Sequence, residues 1–258
     1  MSQFFSLSRF GRLFSKHTTE HWGGYLLATG VLLGGIALVL GFVAYMNRGP
    51  MEHIVQIVIF TMGLLSSGAF FTSTVLADYS NKRQATAALM LPASHWEKYL
   101  VGWLYAVPIF LAIYVGCFYL VDFVVLQVDS HAGPDPGIVP LFSNDSNLYL
   151  ALLGYLVVNA VFLWGGIFFE KQHFVRTAFA VLLVGAVVVL VNMQAVQQLM
   201  GREVSGVVPF SGMSFHEGKS WYSVNLEPVQ NSWFWLVPLG VMLLTWAAAY
   251  ARVTEKQI

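Results

Sequence analysis

The residues able to do chemistry are few, and their spacing argues against most of it. Seven histidines and one cysteine, Cys117, are scattered along 258 residues. His131 lies close to Asp129 and His216 beside Glu217, but neither pair has the i, i+4 spacing that sets two metal ligands on one helix face. His17 and His21 have that spacing without a carboxylate arrangement near them, so solvated histidine is the plainest reading of all. Residues Gly212 to Ser220 read Gly-Met-Ser-Phe-His-Glu-Gly-Lys-Ser and resemble a phosphate-binding loop. That loop needs four residues between its glycines and a strand–loop–helix setting; here there are five and no such setting. Cys117 sits in an apolar run and forms neither an intrachain disulfide nor a thiolate cluster. The sequence therefore predicts no catalytic residue, no metal site and no cofactor on this chain.

The elements that would position any site are set by composition. Hydrophobic residues make up 57% of the chain and charged residues only 10%, against about 25% in a soluble domain. With a mean hydropathy of +0.66, lipid must solvate much of the surface. A net charge of +0 gives no reason to expect nucleic acid as a partner. Six apolar runs follow one another: Tyr25 to Met46, His53 to Leu76, Tyr99 to Val121, Leu148 to Phe169, Thr177 to Val196 and Trp233 to Ala251. The first, at roughly 1.5 Å per residue, reaches about 33 Å and can cross the hydrocarbon core. Helices satisfy their own backbone in lipid, which predicts an all-α membrane protein, a single domain over 1–258 built as a six-helix bundle. The first twenty residues lack the compact apolar region and cleavage site of a signal peptide, and the first run reads as a retained span.

Orientation is read from Lys and Arg. With the N-terminus inside, ten of the thirteen fall on the inner side (Arg9, Arg12, Lys16, Lys82, Arg83, Lys98, Lys171, Arg176, Arg252 and Lys256) and three outside (Arg48, Arg202 and Lys219). That bias predicts cytoplasmic N- and C-termini. Trp22, Tyr25, Trp96, Tyr99, Trp233, Trp235, Trp246 and Tyr250 sit near span ends, where aromatic rings favour the headgroup level.

Three connecting segments carry information. Within 1–21, residues Phe4 to Lys16 form an amphipathic helix, with Phe4, Leu7, Phe10, Leu13 and Phe14 on one half and Arg9, Arg12 and Lys16 on the other. That suits a helix lying in the inner membrane interface. In the inner loop 77–98, Ser80 can cap a short helix over Asn81 to Leu91, Pro92 ends it, and Ser94 with Glu97 forms a capping box for the third span. The outer segment 197–232 alternates apolar and polar residues over Val204 to Phe215 and Trp221 to Leu226, predicting short strands or re-entrant turns. The loop Gln127 to Asn147 is rich in Asp, Gly, Pro, Ser and Asn and reads as irregular.

No span carries Lys, Arg, Asp or Glu in its middle; Asp122 lies at the outer edge of the third. Asn159 and Asn192 are the most polar residues at depth. They are read either as interhelical hydrogen-bond partners or as polar contacts along a substrate path. Gly30 and Gly34 make a Gly-x-x-x-Gly step suited to close helix packing.

The segments Ala77-Asp78-Tyr79-Ser80-Asn81-Lys82 and Leu89-Met90-Leu91-Pro92-Ala93-Ser94-His95-Trp96-Glu97-Lys98 resemble the permease subunits of ABC exporters of the second structural type, especially short Bacteroidetes forms. The order of elements is similar as well. The resemblance implies a bacterial inner-membrane permease, itself without ATPase activity, that pairs with a second permease copy and two copies of a separate ABC-type ATPase carrying ATP and magnesium. It implies that Ser80, Asn81, Lys82, Arg83, Gln84, Ala87 and Leu91 contact the ATPase, with Pro92, Ser94 and Glu97 shaping the coupling loop. The uncharged spans suit apolar or amphipathic cargo. Two rivals share the topology: a scaffold or assembly subunit of a larger membrane complex, and a membrane-embedded enzyme using groups such as His131, His216 and Glu217.

Overall fold

Backbone groups in hydrocarbon must find partners within their own segment, so each long apolar run is expected to fold as a helix. The computed structural model describes residues 5–47, 51–75, 94–128, 138–141, 148–169, 171–201, 204–205, 213–217, 220–224 and 236–255. Its helices are α1 (Leu7–Met46), α2 (His53–Val75), α3 (His95–Leu104), a π-helical turn (Tyr105–Ile109), α4 (Phe110–Val128), α5 (Leu148–Phe168), α6 (His173–Met200) and α7 (Leu236–Glu255). With α3, the π-turn and α4 forming one continuous span, six helices are long and apolar enough to cross a membrane. The chain is a multi-pass membrane protein, and among the described residues its spans are all α-helical.

The division between an interfacial helix over 1–21 and a span from Tyr25 does not occur. Residues Leu7–Met46 run as one helix of 40 residues through Gly23 and Gly24, about 60 Å long against about 30 Å of hydrocarbon. Packing explains this. Phe10, Leu13, Phe14 and Tyr25 form a stripe against the rest of the protein. The rings of Phe14 and Tyr25 stack on Tyr105 at 5.2 and 5.1 Å. Part of the amphipathic face is thus covered by packing, in a helix continuous with the span.

The third span is longer than Tyr99 to Val121, because the capping box starts the helix at His95 and the helix continues to Val128. The fifth runs beyond Val196 to Met200, where Gly201 (φ 62°) caps it in the left-handed conformation that glycine adopts without penalty.

Helix α5 is the centre of the bundle, with α2, α6 and α7 packed around it, while α1 packs along α4. Two apolar cores are stacked along the bundle. One, away from the termini, joins Leu40, Phe60, Leu64, Tyr114, Phe118 and Tyr155. The other, at the termini end, joins Val75, Tyr99, Tyr105, Leu163, Ala249 and Val253. Close approach of α2 to α5 requires glycine. A Cβ on Gly166 would lie 2.9 Å from the Ser73 carbonyl oxygen, and one on Gly68 would collide with the Tyr155 ring.

Between α6 and α7, strands β1 (Val204–Ser205), β2 (Met213–Glu217) and β3 (Ser220–Val224) form an antiparallel sheet in the order β1-β2-β3. Val204 pairs with Phe215, and β2 pairs with β3 from Met213↔Val224 to Glu217↔Ser220. The described parts of the alternating stretches, Val204–Ser205, 213–215 and 221–224, are therefore strands, and 206–212 and 225–226 lie outside the described residues. The five residues between Gly212 and Gly218 form strand β2, not a phosphate-binding loop.

Gly166→Val is expected to destabilise the bundle by about 1–3 kcal/mol through overpacking against Ser73. Gly154→Val, where a Cβ meets nothing within 4 Å, serves as its control. Thermal unfolding of both variants in detergent checks this; equal melting temperatures would refute the close contact.

Candidate functional site

The most connected polar group at the termini end is Glu97, which has no exposed surface. It occupies the third position of α3, and the capping box foreseen from Ser94 and Glu97 is fully formed. Glu97 N–H donates to Ser94 Oγ at 3.2 Å, and Ser94 N–H donates to Glu97 Oε2 at 2.9 Å. The other carboxylate oxygen accepts from Ser6 N–H at 2.7 Å and from the Arg9 guanidinium at 3.3 Å. One carboxylate thereby caps two helices: its own, and α1, for which Ser6 is the N-cap residue. An anion suits both helix N-termini, and with its donors arranged this way its burial is compensated.

Helix α7 completes this junction. Tyr99 Oη donates to the Trp246 carbonyl at 3.2 Å. Trp96 and Tyr250 rings lie 4.7 Å apart, and Trp103 meets Trp246 edge-on at 5.5 Å. The start of the third span, the N-terminal helix and the C-terminal end of α7 thus form one packed unit.

A second polar centre joins the two cores. Pro108 has no N–H, and around it the third span widens into the π-turn. Phe110 N–H, which in an α-helix would bond Ala106 O, goes instead to the Tyr105 and Val107 carbonyls. Tyr155 Oη and Asn159 Nδ2 (2.9 Å) donate to the Ala106 carbonyl. Asn159 Nδ2 also donates to Thr72 Oγ1 at 2.7 Å and lies 3.1 Å from Tyr155 Oη. Asn159 and Thr72 have no exposed surface, so the contact ties α2, α5 and the π-turn together. Such a bond is worth about 0.6 kcal/mol on average in a membrane.

Of the residues singled out from the sequence, Ser94 and Glu97 meet at the junction. Asn159 sits in the sealed polar centre, with its amide engaged by other helices. Asn192 is half-buried on α6, and its Nδ2 has no hydrogen-bond partner among the described residues. The structure does not bring the two asparagines together by any hydrogen bond among the described residues. Ser80, Asn81, Lys82, Arg83, Gln84, Ala87, Leu91 and Pro92 lie outside the described residues, as do His131 and Asp129. His17 is 2.8 Å from Tyr25 Oη, and its ring lies 4.5 Å from that of His21. Among the described residues no group of three or more His, Cys, Asp or Glu could hold a metal ion.

Sequence reasoning missed Arg9 and Ser6 as partners of Glu97, and Thr72, Tyr155 and Pro108 as parts of the polar centre. Two local signals pointed to the centre: a proline inside an apolar run, and Tyr155 and Asn159 at i, i+4 on one helix face.

Replacing Glu97 by Ala strands the Ser6 and Ser94 backbone donors and removes its ion pair with Arg9, and is expected to cost about 1–3 kcal/mol. It should also expose the chain before Tyr25 to protease. Limited proteolysis and thermal unfolding in detergent read both effects, and wild-type behaviour would show that the junction does not hold α1. Comparison with known proteins adds no assignment: no protein family, curated protein or solved structure matches this chain.

Proposed function

We propose that this protein is the transmembrane permease subunit of an ATP-driven ABC exporter of the second structural type. A separate ATPase chain would bind and hydrolyse ATP with magnesium, and two permeases would pair with two ATPases. The observation that carries the reading is the Glu97 junction, which lies directly after the coupling segment inferred from the sequence. A push on the segment from Ser80 to Leu91 reaches Ser94 and Glu97 within a few residues. From there hydrogen bonds and ring contacts pass it to α1 and α7. The π-turn then couples α3 to α5 through Tyr155 and Asn159. An inert scaffold needs no such chain of contacts from one loop to the bundle centre.

The Lys and Arg distribution supports a cytoplasmic position for that loop and for both termini, with a bacterial inner membrane as the location. The spans carry no Lys, Arg, Asp or Glu at mid-depth. This favours apolar or amphipathic cargo moving along a lipid-facing groove or an interface between two copies.

Charge reversal at Lys82 and Arg83, or Ala87→Pro, is expected to abolish co-purification with the ATPase and ATP-dependent transport while leaving the bundle folded. Arg9→Ala is expected to preserve ATPase binding but weaken coupling, lowering transport per ATP hydrolysed. An ATPase that co-purifies unchanged with the Lys82, Arg83 and Ala87 variants would defeat the proposal. So would the absence of any ATPase in the native complex.

A further inference from the structure

Asp122 has no place in the exporter reading, yet its surroundings are unusual. It has no exposed surface. Neither carboxylate oxygen has a hydrogen-bond partner among the described residues. It stands six residues before the end of α4, about 9 Å from Val128 along the helix.

Helix register places its neighbours. Phe60 on α2 meets Phe118 on α4 edge-on at 5.0 Å, and Tyr114 Oη donates to the Phe60 carbonyl at 2.8 Å. The consecutive spans run antiparallel, so one turn further from the termini on each helix stand Gln56 and Asp122, both buried. His53, one turn beyond Gln56 on the same face of α2, is exposed. Tyr119 stands one turn back on α4, and its hydroxyl donates to the Val139 carbonyl at 2.8 Å. On α4 itself its apolar neighbours Val121 and Leu126 are buried in the core that also holds Leu40, Val139 and Leu148. Among the described residues, the other titratable groups near this end include Glu52, Tyr45 and Tyr149, all exposed, and Tyr114 and Cys117, buried on α4.

A buried carboxylate without a hydrogen-bond partner costs several kcal/mol, and taking up a proton removes that cost. The described residues supply no cluster for a multivalent metal. We propose that Asp122 is a proton-binding site in the half of the bundle away from the termini, exchanging with the aqueous face past His53. Uptake forms one O–H bond on the carboxylate, with the proton drawn from water at that face. Its loss leaves a charge between α2 and α4, which loosens their packing there. The α2–α4 contact is therefore sensitive to pH on that side of the membrane. This inference stands apart from any ATPase.

The full chain in lipid nanodiscs tests it by infrared titration. A protonated-carboxyl band is expected at acid pH, lost on raising pH and absent from Asp122→Asn, which keeps the shape of the side chain without the charge. In His53→Gln the midpoint of that band is expected to move, because His53 stands one turn beyond Gln56 on the helix face that Asp122 meets. An identical band in Asp122→Asn, or no band at any pH where the chain is folded, would overturn the proton site. Stabilisation of the wild type by sodium or potassium that Asp122→Asn abolishes would overturn it in favour of a cation. A midpoint unmoved in His53→Gln would overturn the role given to His53.

Discussion

Within the hydrocarbon layer a backbone carbonyl without a donor has no water to turn to. Pro108 places this protein under that constraint at the middle of its third span. The π-turn redirects the Phe110 N–H, and the Ala106 carbonyl must find its donors elsewhere. Both come from α5, as Tyr155 and Asn159, and Asn159 reaches on to Thr72 of α2. The defect in one helix thus becomes the bond that orders three. Since α6 and α7 pack on α5 and both apolar cores end at this level, the arrangement of the bundle follows from satisfying that carbonyl.

The spans were legible because length and apolarity leave lipid-exposed backbone one solution. The capping box was legible too, because Ser94 and Glu97 are near in sequence and their reciprocal bonds are local. The remaining partners of that same carboxylate were not, since Ser6 and Arg9 lie about ninety residues away and no spacing rule joins them. The continuity of α1 was hidden for a different reason. An amphipathic face looks the same in sequence whether lipid or Tyr105 covers it, and only the tertiary packing distinguishes the two. Asn159 was recognised as polar at depth, but its partner is a carbonyl freed by an irregular turn, which composition does not reveal.

Helix α6 behaves differently from the others. It is held near its start, where Thr177 packs into the space left by Gly165 and Phe174 meets the rings of Phe70 and Phe162 at 5.6 Å. Beyond that turn Leu182, Val184, Leu190 and Val191 are exposed on successive faces. A helix with so few apolar contacts adds little to the cooperative unit and is free to reorient at small cost. The sheet formed by β1 to β3 follows it in the chain, so any such movement displaces the sheet as well.

The uninterrupted course of α1 has a mechanical consequence. Its first turns are fastened to Glu97, while Ile36 and Leu40, near its other end, are buried against the core around α4. An unbroken helix held at its first turns, at Tyr105 and near its far end can tilt only if these attachments yield together. Motion that begins at one surface of the bilayer must therefore appear at the opposite surface without a separate relay, its direction reversed about whatever point along the helix stays fixed.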